Sequence, residues 1–322
     1  MPTTKKGTSC CSTANLLHKP VWRFATLFGM RRLGRLAKRI YPKEYGGTLT
    51  HFETDQPVIA LTIDDGLSRG GPETSMANDV LELLAKYDNA HATFFVCSDY
   101  VTNQEDSVIE KLLDEGHEVG NHMISDRLFY YNKLDKPEFQ TQMRQANAVL
   151  DDLEEKHGKQ NAKKTKKTRW FRAPQGLMSA NMKQAMEEEG NMEHVLGDCY
   201  CDDWSFAQEA DPLFAAELDG DADPKLQKYR EKAMKQVSNL MLSQVKAGSI
   251  AIIHMPEKGF REGNLMALEF FLQGIQKRGL RCCNLTEMQQ MSQLDEEEET
   301  KDNTSKDSGN NDTINEESTL SS

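Results

Sequence analysis

The chain has 322 residues, of which 38% are hydrophobic and 28% charged, with 39 Lys and Arg against 51 Asp and Glu and a formal net charge of −12. That composition excludes a wholly disordered chain and suits one domain of about 240 residues plus extensions. No apolar run reaches the roughly 18 residues that a membrane span needs, and seven cysteines, an odd number with adjacent pairs at 10–11 and 282–283, do not form a disulfide framework.

Residues 1–50 are a basic extension. Ten Lys or Arg fall within residues 1–45 against one acid, Glu44. The stretch 12–40 is Arg-rich and acid-poor, which fits either an organelle transit peptide or a helix packed on the outside of the domain through Leu17, Val21, Phe24, Leu27 and Phe28. Arg23 interrupts the best N-terminal apolar window, so a cytoplasmic or organellar location is expected over secretion.

From 51 to 294, short apolar runs alternate with longer helical patterns. Strands are predicted at 58–62, 92–97, 117–120, 169–172, 194–196, 249–254 and 280–285, and helices at about 73–87, 107–115, 137–155, 179–189, 225–245 and 264–277. The interleaving predicts an α/β fold, a barrel of about seven parallel strands. Two stretches read as surface insertions, a basic one at 156–168 and an acidic one at 208–224. The basic run lacks interleaved aromatics, so it is read as a solvated loop and no nucleic-acid partner is expected. Residues 295–322 are an acidic, polar tail with almost nothing to bury.

Chemistry-bearing residues collect where the strands should end. Thr62-Ile63-Asp64-Asp65-Gly66 closes the first strand, and two adjacent carboxylates in an apolar setting need a stabilising partner, a bound cation being the simplest. His122 follows the third strand, Arg172-Ala173-Pro174-Gln175-Gly176 the fourth, and Asp198, Asp202, Asp203 and Trp204 the fifth; His254 ends Ile250-Ala251-Ile252-Ile253. In barrels and open α/β sheets this edge carries the site. His122 and Asp126 are four apart and would share a face on a helical turn, so with Asp65 they offer two oxygens and one nitrogen to a metal. Asp64 is then free as a base, Arg172 pairs with it, and His254 is the candidate acid.

These motifs resemble the NodB-like polysaccharide deacetylases, carbohydrate esterase family 4, over about residues 55–292. The resemblance rests on Thr62–Gly66, Ala92–Val96, Gly116–His122, Phe171–Gly176 and Ile252–His254. It implies a distorted (β/α) barrel of NodB type and metal-dependent removal of acetyl groups from sugars. Carried over residue by residue, it implies Asp64 as base, His254 as acid, Arg172 as orienter of the base, and Asp65 and His122 as metal ligands. Trp204, Pro174 and Gly176 are expected to line the substrate groove. Two positions depart from the family pattern. Asp126 stands where a second His is usual, which makes the site harder and more anionic. Tyr200 stands where an Asp usually supports the catalytic His, so Asp198, Asp202 or Asp203 takes that place.

The expected function is a metal-dependent hydrolase that removes acetyl groups from an N-acetylglucosamine-containing saccharide such as chitin. The expected cofactor is a divalent ion (Zn, Co or Mn) and the expected partner an acetylated carbohydrate. The alternatives are a hydrolase of small linear amides on the same fold, and a non-catalytic glycan binder with a degraded metal site.

Overall fold

The computed structural model describes residues 30–101, 106–157, 169–201, 203 and 224–295. The chain before residue 30, the basic run from 158, Asp202, the acidic stretch together with Trp204, and the tail beyond 295 lie outside the described residues. Among the described residues, eight strands form one sheet: β1 (Val58–Gly66), β2 (Thr93–Val96), β3 (Glu118–Asn121), β4 (Arg169–Phe171), β5 (Met192–His194), β6 (Cys199–Tyr200), β7 (Ile250–His254) and β8 (Arg281–Cys283). Their order is β5-β4-β3-β2-β1-β7-β6, with β8 against the first half of β1, and every pairing is parallel. The helices are α1 (Met30–Ile40), α2 (Pro42–Tyr45), α3 (Ala77–Lys86), α4 (Ser98–Val101), α5 (Asp106–Asp114), α6 (Lys136–His157), α7 (Ala180–Glu189), α8 (Pro224–Leu242) and α9 (Gly263–Lys277).

The two faces of each strand explain where the site lies. On β1, Ile59, Leu61 and Ile63 pack outward with Phe94, Val96, Val119, Ala251 and Ile253 and with apolar residues of α3, α5, α8 and α9. Val58 and Ala60 face the other way and meet Phe95, Trp170, Val195, Ile250 and Cys283 inside the barrel. Side chains alternate along a strand, so the inward series continues to Thr62 and Asp64 on β1, to Arg172 just beyond β4 and to His254 on β7. The interior is thus apolar at the strands' beginnings and polar at their ends. Gly120 on β3 is required by this filling: a Cβ there would come within 2.8 Å of the Phe95 ring.

The sheet does not close strand to strand. Residues 49–51 bridge the gap, Leu49 pairing with Val195 just after β5 and His51 with Ser249 just before β7. The predicted fifth strand at 194–196 therefore falls two residues early, at Met192–His194, because the Leu196 amide bonds to Leu49 instead of a neighbouring strand. The helix predicted from 73 begins at Ala77, after a turn in which the Ser75 hydroxyl accepts from the Ala77 amide. Two-residue β6 has no apolar run to announce it.

The N-terminal helices pack onto this unit. Arg31 Nε donates to Asp198 Oδ2 at 2.5 Å and Nη2 to the Ala247 carbonyl at 2.8 Å, while the Tyr45 hydroxyl reaches the Gly176 carbonyl at 3.3 Å. Among the described residues, no helix is long and apolar enough to cross a membrane.

Candidate active site

The two acids at the end of β1 reach one site because the strand breaks its alternation there. Asp64 pairs with Phe95 and Gly66 with Val96, so Asp65 is the extra residue of a bulge, in the left-handed region at φ 56. Asp adopts that conformation more readily than most residues, and a bulge re-aims the side chain it carries. Both carboxylates are buried, Asp64 at 5% and Asp65 at 3% exposure.

Each acid has its own guanidinium. Arg172 Nη1 donates to Asp64 Oδ1 at 2.5 Å and to the Thr62 hydroxyl at 2.8 Å, and its Nε donates to the Val195 carbonyl. Its guanidinium also lies 4.1 Å from the centre of the Phe95 ring. Asp64 Oδ2 accepts no hydrogen bond from the described residues. Arg261, in the turn before α9, donates from Nη1 to Asp65 Oδ2 at 2.8 Å. Burial alone would raise the Asp65 pKa, but the charges of Arg261 and His122 outweigh it and hold the carboxyl far below its usual range. Asp65 Oδ1 is buried with no hydrogen-bond partner among the described residues and stands 3.8 Å from His122 Nε2. The other ring nitrogen, Nδ1, is 2.8 Å from the Arg172 carbonyl. A carbonyl only accepts, so Nδ1 carries a proton and Nε2 is the ring nitrogen left facing Asp65.

On the far side of β1, His254 is registered directly beside Asp64. Its Nδ1 lies 2.7 Å from Asp203 Oδ1, and Asp203 Oδ2 accepts from the His254 amide at 2.8 Å. Asn264 of α9 donates to the same Oδ2 and to the His254 carbonyl, both at 3.1 Å. Burial works against a charged ring, yet the Asp203 carboxylate prevails and pushes the His254 pKa up to about 9. Of the three acids open as supports for His254, the partner is Asp203. Asp198 instead receives Arg31, the Ser249 hydroxyl and the Ile250 amide near the start of β7.

The polysaccharide deacetylase family model matches residues 51–193. A peptidoglycan-N-acetylglucosamine deacetylase of Bacillus cereus is 26% identical over 254 residues, 79% of this chain and 97% of that protein. Among solved structures, the peptidoglycan deacetylase PdaC of Bacillus subtilis aligns with a TM-score of 0.55 at 21% identity, over 77% of this chain and 98% of that one. Over residues 51–193 the chain is similar to the polysaccharide deacetylases, and its fold is theirs. A mutant of BA3943, a pseudoenzyme of the same esterase family from Bacillus anthracis, aligns with a TM-score of 0.53 at 19% identity, over 75% of this chain and 70% of that one. Sharing the deacetylase fold therefore does not by itself decide activity.

The resemblance to these deacetylases implies a divalent ion, and two of the three expected ligands could face one. The unpartnered Asp65 Oδ1 and His122 Nε2, the ring nitrogen not committed to the Arg172 carbonyl, are an oxygen and a nitrogen that face each other 3.8 Å apart. The third, Asp126, is not brought to them, and no group of three His, Cys, Asp or Glu residues is placed to hold a metal among the described residues. The helical turn that was to align Asp126 with His122 does not form. Met123 takes the left-handed conformation at φ 66, its amide held by Asn121 Oδ1 at 2.6 Å, and residues 122–127 are not helical. Asp126 is left half-exposed, with Gln175 Nε2 3.4 Å away.

The groove residues fare unevenly. Pro174 is buried in a 3-10 turn, Pro174–Gly176, so its ring is not offered to a substrate. Gly176 is half-exposed at φ 68 with its carbonyl tied to Tyr45. Trp204 lies outside the described residues. Arg261 and Asn264 were not anticipated. Each sits in or beside a mixed polar stretch, Glu257–Asn264, whose spacing carries no signal.

Proposed function

We propose that this chain is a carbohydrate deacetylase that hydrolyses the N-acetyl groups of an N-acetylglucosamine-containing glycan, of peptidoglycan or chitooligosaccharide type. The observation that carries this is the matched register of Asp64 and His254 on neighbouring strands. A base and an acid stand side by side, each locked by a buried partner, Arg172 behind one and Asp203 behind the other. The glycan class comes from the relatives, whose names specify peptidoglycan N-acetylglucosamine and chitooligosaccharide.

Amide hydrolysis needs a C–O bond formed and a C–N bond broken. Asp64, oriented through Oδ1 by Arg172, takes the proton of the attacking water on Oδ2. His254, protonated at neutral pH, delivers its Nε2 proton to the departing sugar nitrogen, and Asp203 steadies the ring and its charge throughout. Acetate and a free amine result, and proton exchange with solvent restores both residues. A divalent ion held by Asp65 and His122 would supply Lewis-acid polarisation of the acetyl carbonyl.

The test is acetate release from N-acetylglucosamine oligomers with and without added Zn, Co or Mn. Asp64→Asn and His254→Ala are each expected to abolish release while circular dichroism shows the fold intact; turnover in either variant refutes the assignment. The incomplete ligand set favours a second reading, a non-catalytic glycan binder, which predicts oligomer binding without acetate in every metal.

A further inference from the structure

Asp65 has two oxygens and two kinds of neighbour. Oδ1 faces His122 without a hydrogen bond, and Oδ2 is taken by Arg261. Arg261 is not a surface side chain that has drifted inward. It is 3% exposed, its amide is anchored on the Glu257 carbonyl at 2.8 Å, and its guanidinium lies 4.9 Å from the centre of the Phe260 ring. Asp203 and Glu257 add further negative potential around it. Its Nε is buried with no partner among the described residues, so Asp65 is its principal anchor.

Charge counting gives this contact a consequence. Asp64 with Arg172 and Asp65 with Arg261 are two buried pairs, each neutral. A divalent ion entering against Asp65 and His122 would place its two positive charges next to a buried guanidinium already paired with Asp65. The carboxylate donor it needs is also weakened, because Arg261 draws electron density through Oδ2.

We propose that Arg261 is the resident counter-cation of Asp65 and sets the metal affinity of this site, so that the chain holds its divalent ion weakly and exchangeably. The proposal rests on reading Asp65 and His122 as the metal-facing pair. It makes Arg261 a positioning residue that acts through Asp65.

The experiment titrates Co(II), whose visible spectrum reports its ligand shell, into the chelator-stripped full chain and into Arg261→Gln, Arg261→Lys and Asp65→Asn. Arg261→Gln is expected to bind at least about tenfold tighter than wild type; removing a group that hydrogen-bonds a metal ligand ordinarily weakens binding about 10–100-fold, and the sign is reversed here because the group removed is a cation held beside the ion. Arg261→Lys, which keeps the charge, is expected to stay close to wild type, and Asp65→Asn to lose the spectrum. Equal or weaker binding by a folded Arg261→Gln overturns the proposal. Should that variant not fold, wild type alone decides: cobalt lost on gel filtration supports weak binding, and one equivalent retained overturns it. Acetate release is read in parallel. Tight cobalt in Arg261→Gln without acetate from any variant would defeat the deacetylase reading and leave this one standing; metal-restored acetate with no gain in Arg261→Gln would do the reverse.

Discussion

Asp203→Asn isolates what the carboxylate behind His254 does. The imidazole is pushed up to about 9 against burial that would lower it, and only 18% of its side-chain surface is exposed. The gap from about 9 to the 6.5 of a free imidazole corresponds to about 3 kcal/mol of preference for the charged ring. Asparagine keeps a similar shape and an acceptor for the His254 amide but removes the charge, so the ring should titrate at or below about 6.5. At pH 7.5, wild-type His254 is almost wholly protonated, whereas about one ring in ten would be in the variant. The assay is the pH profile of acetate release on an N-acetylglucosamine oligomer. The alkaline limb is expected to move from about 9 to about 6.5, with activity lost about tenfold at pH 7.5 and partly recovered at pH 6. Stability follows the same sign. Folding raises this pKa, so the pair's contribution is complete below about 6.5 and is lost as pH rises through about 9. An alkaline limb that stays at the same pH in a folded Asp203→Asn variant would refute His254 as the acid.

Two further substitutions probe the charged framework. Arg172→Met leaves the buried Asp64 without its partner and should cost about 3–5 kcal/mol in urea unfolding as well as activity; a cost below about 1 kcal/mol would show that Asp64 does not depend on it. Arg31→Ala removes the donor that reaches from α1 to Asp198 and the Ala247 carbonyl, and should lower stability by about 1–3 kcal/mol at neutral pH, read by thermal unfolding. An unchanged melting temperature would mean that the docked N-terminal helix contributes nothing to the barrel.

The legible parts of the molecule are those in which neighbours in sequence are neighbours in space. The parallel strands announced themselves as apolar runs, and their inward series ends in Thr62, Asp64 and His254 at a predictable edge. Ser179 is a similar case: it caps α7 by accepting from the Met182 amide, as its place before a helical pattern suggests. The misreadings have local conformational causes. Placing Asp126 beside His122 required a helical turn, and one left-handed residue, Met123, removes it. Assigning Val195 and Leu196 to a strand treated burial as proof of a ladder, whereas Leu196 bonds to Leu49 from a distant segment. Asp203 could not be told from Asp198 and Asp202 because all three follow one short strand; the choice was made by α9, whose Asn264 holds Asp203 against His254.

The adjacent acids show where spacing stops being informative. Two buried carboxylates side by side do require positive charge, and that much follows from electrostatics alone. The groups that supply it lie 108 residues from Asp64 and 196 residues from Asp65, and both are arginines. Nothing in the strand's own pattern separates two guanidinium partners from one divalent ion, because each solves the same charge problem. The difference is chemical. An ion leaves positions open for water and an acetyl oxygen, while a guanidinium fills one carboxylate oxygen and offers hydrogen bonds of fixed direction. In this chain Arg261 takes one oxygen of Asp65 and leaves the other facing His122, so that single carboxylate is where the proposed competition between guanidinium and ion would be decided.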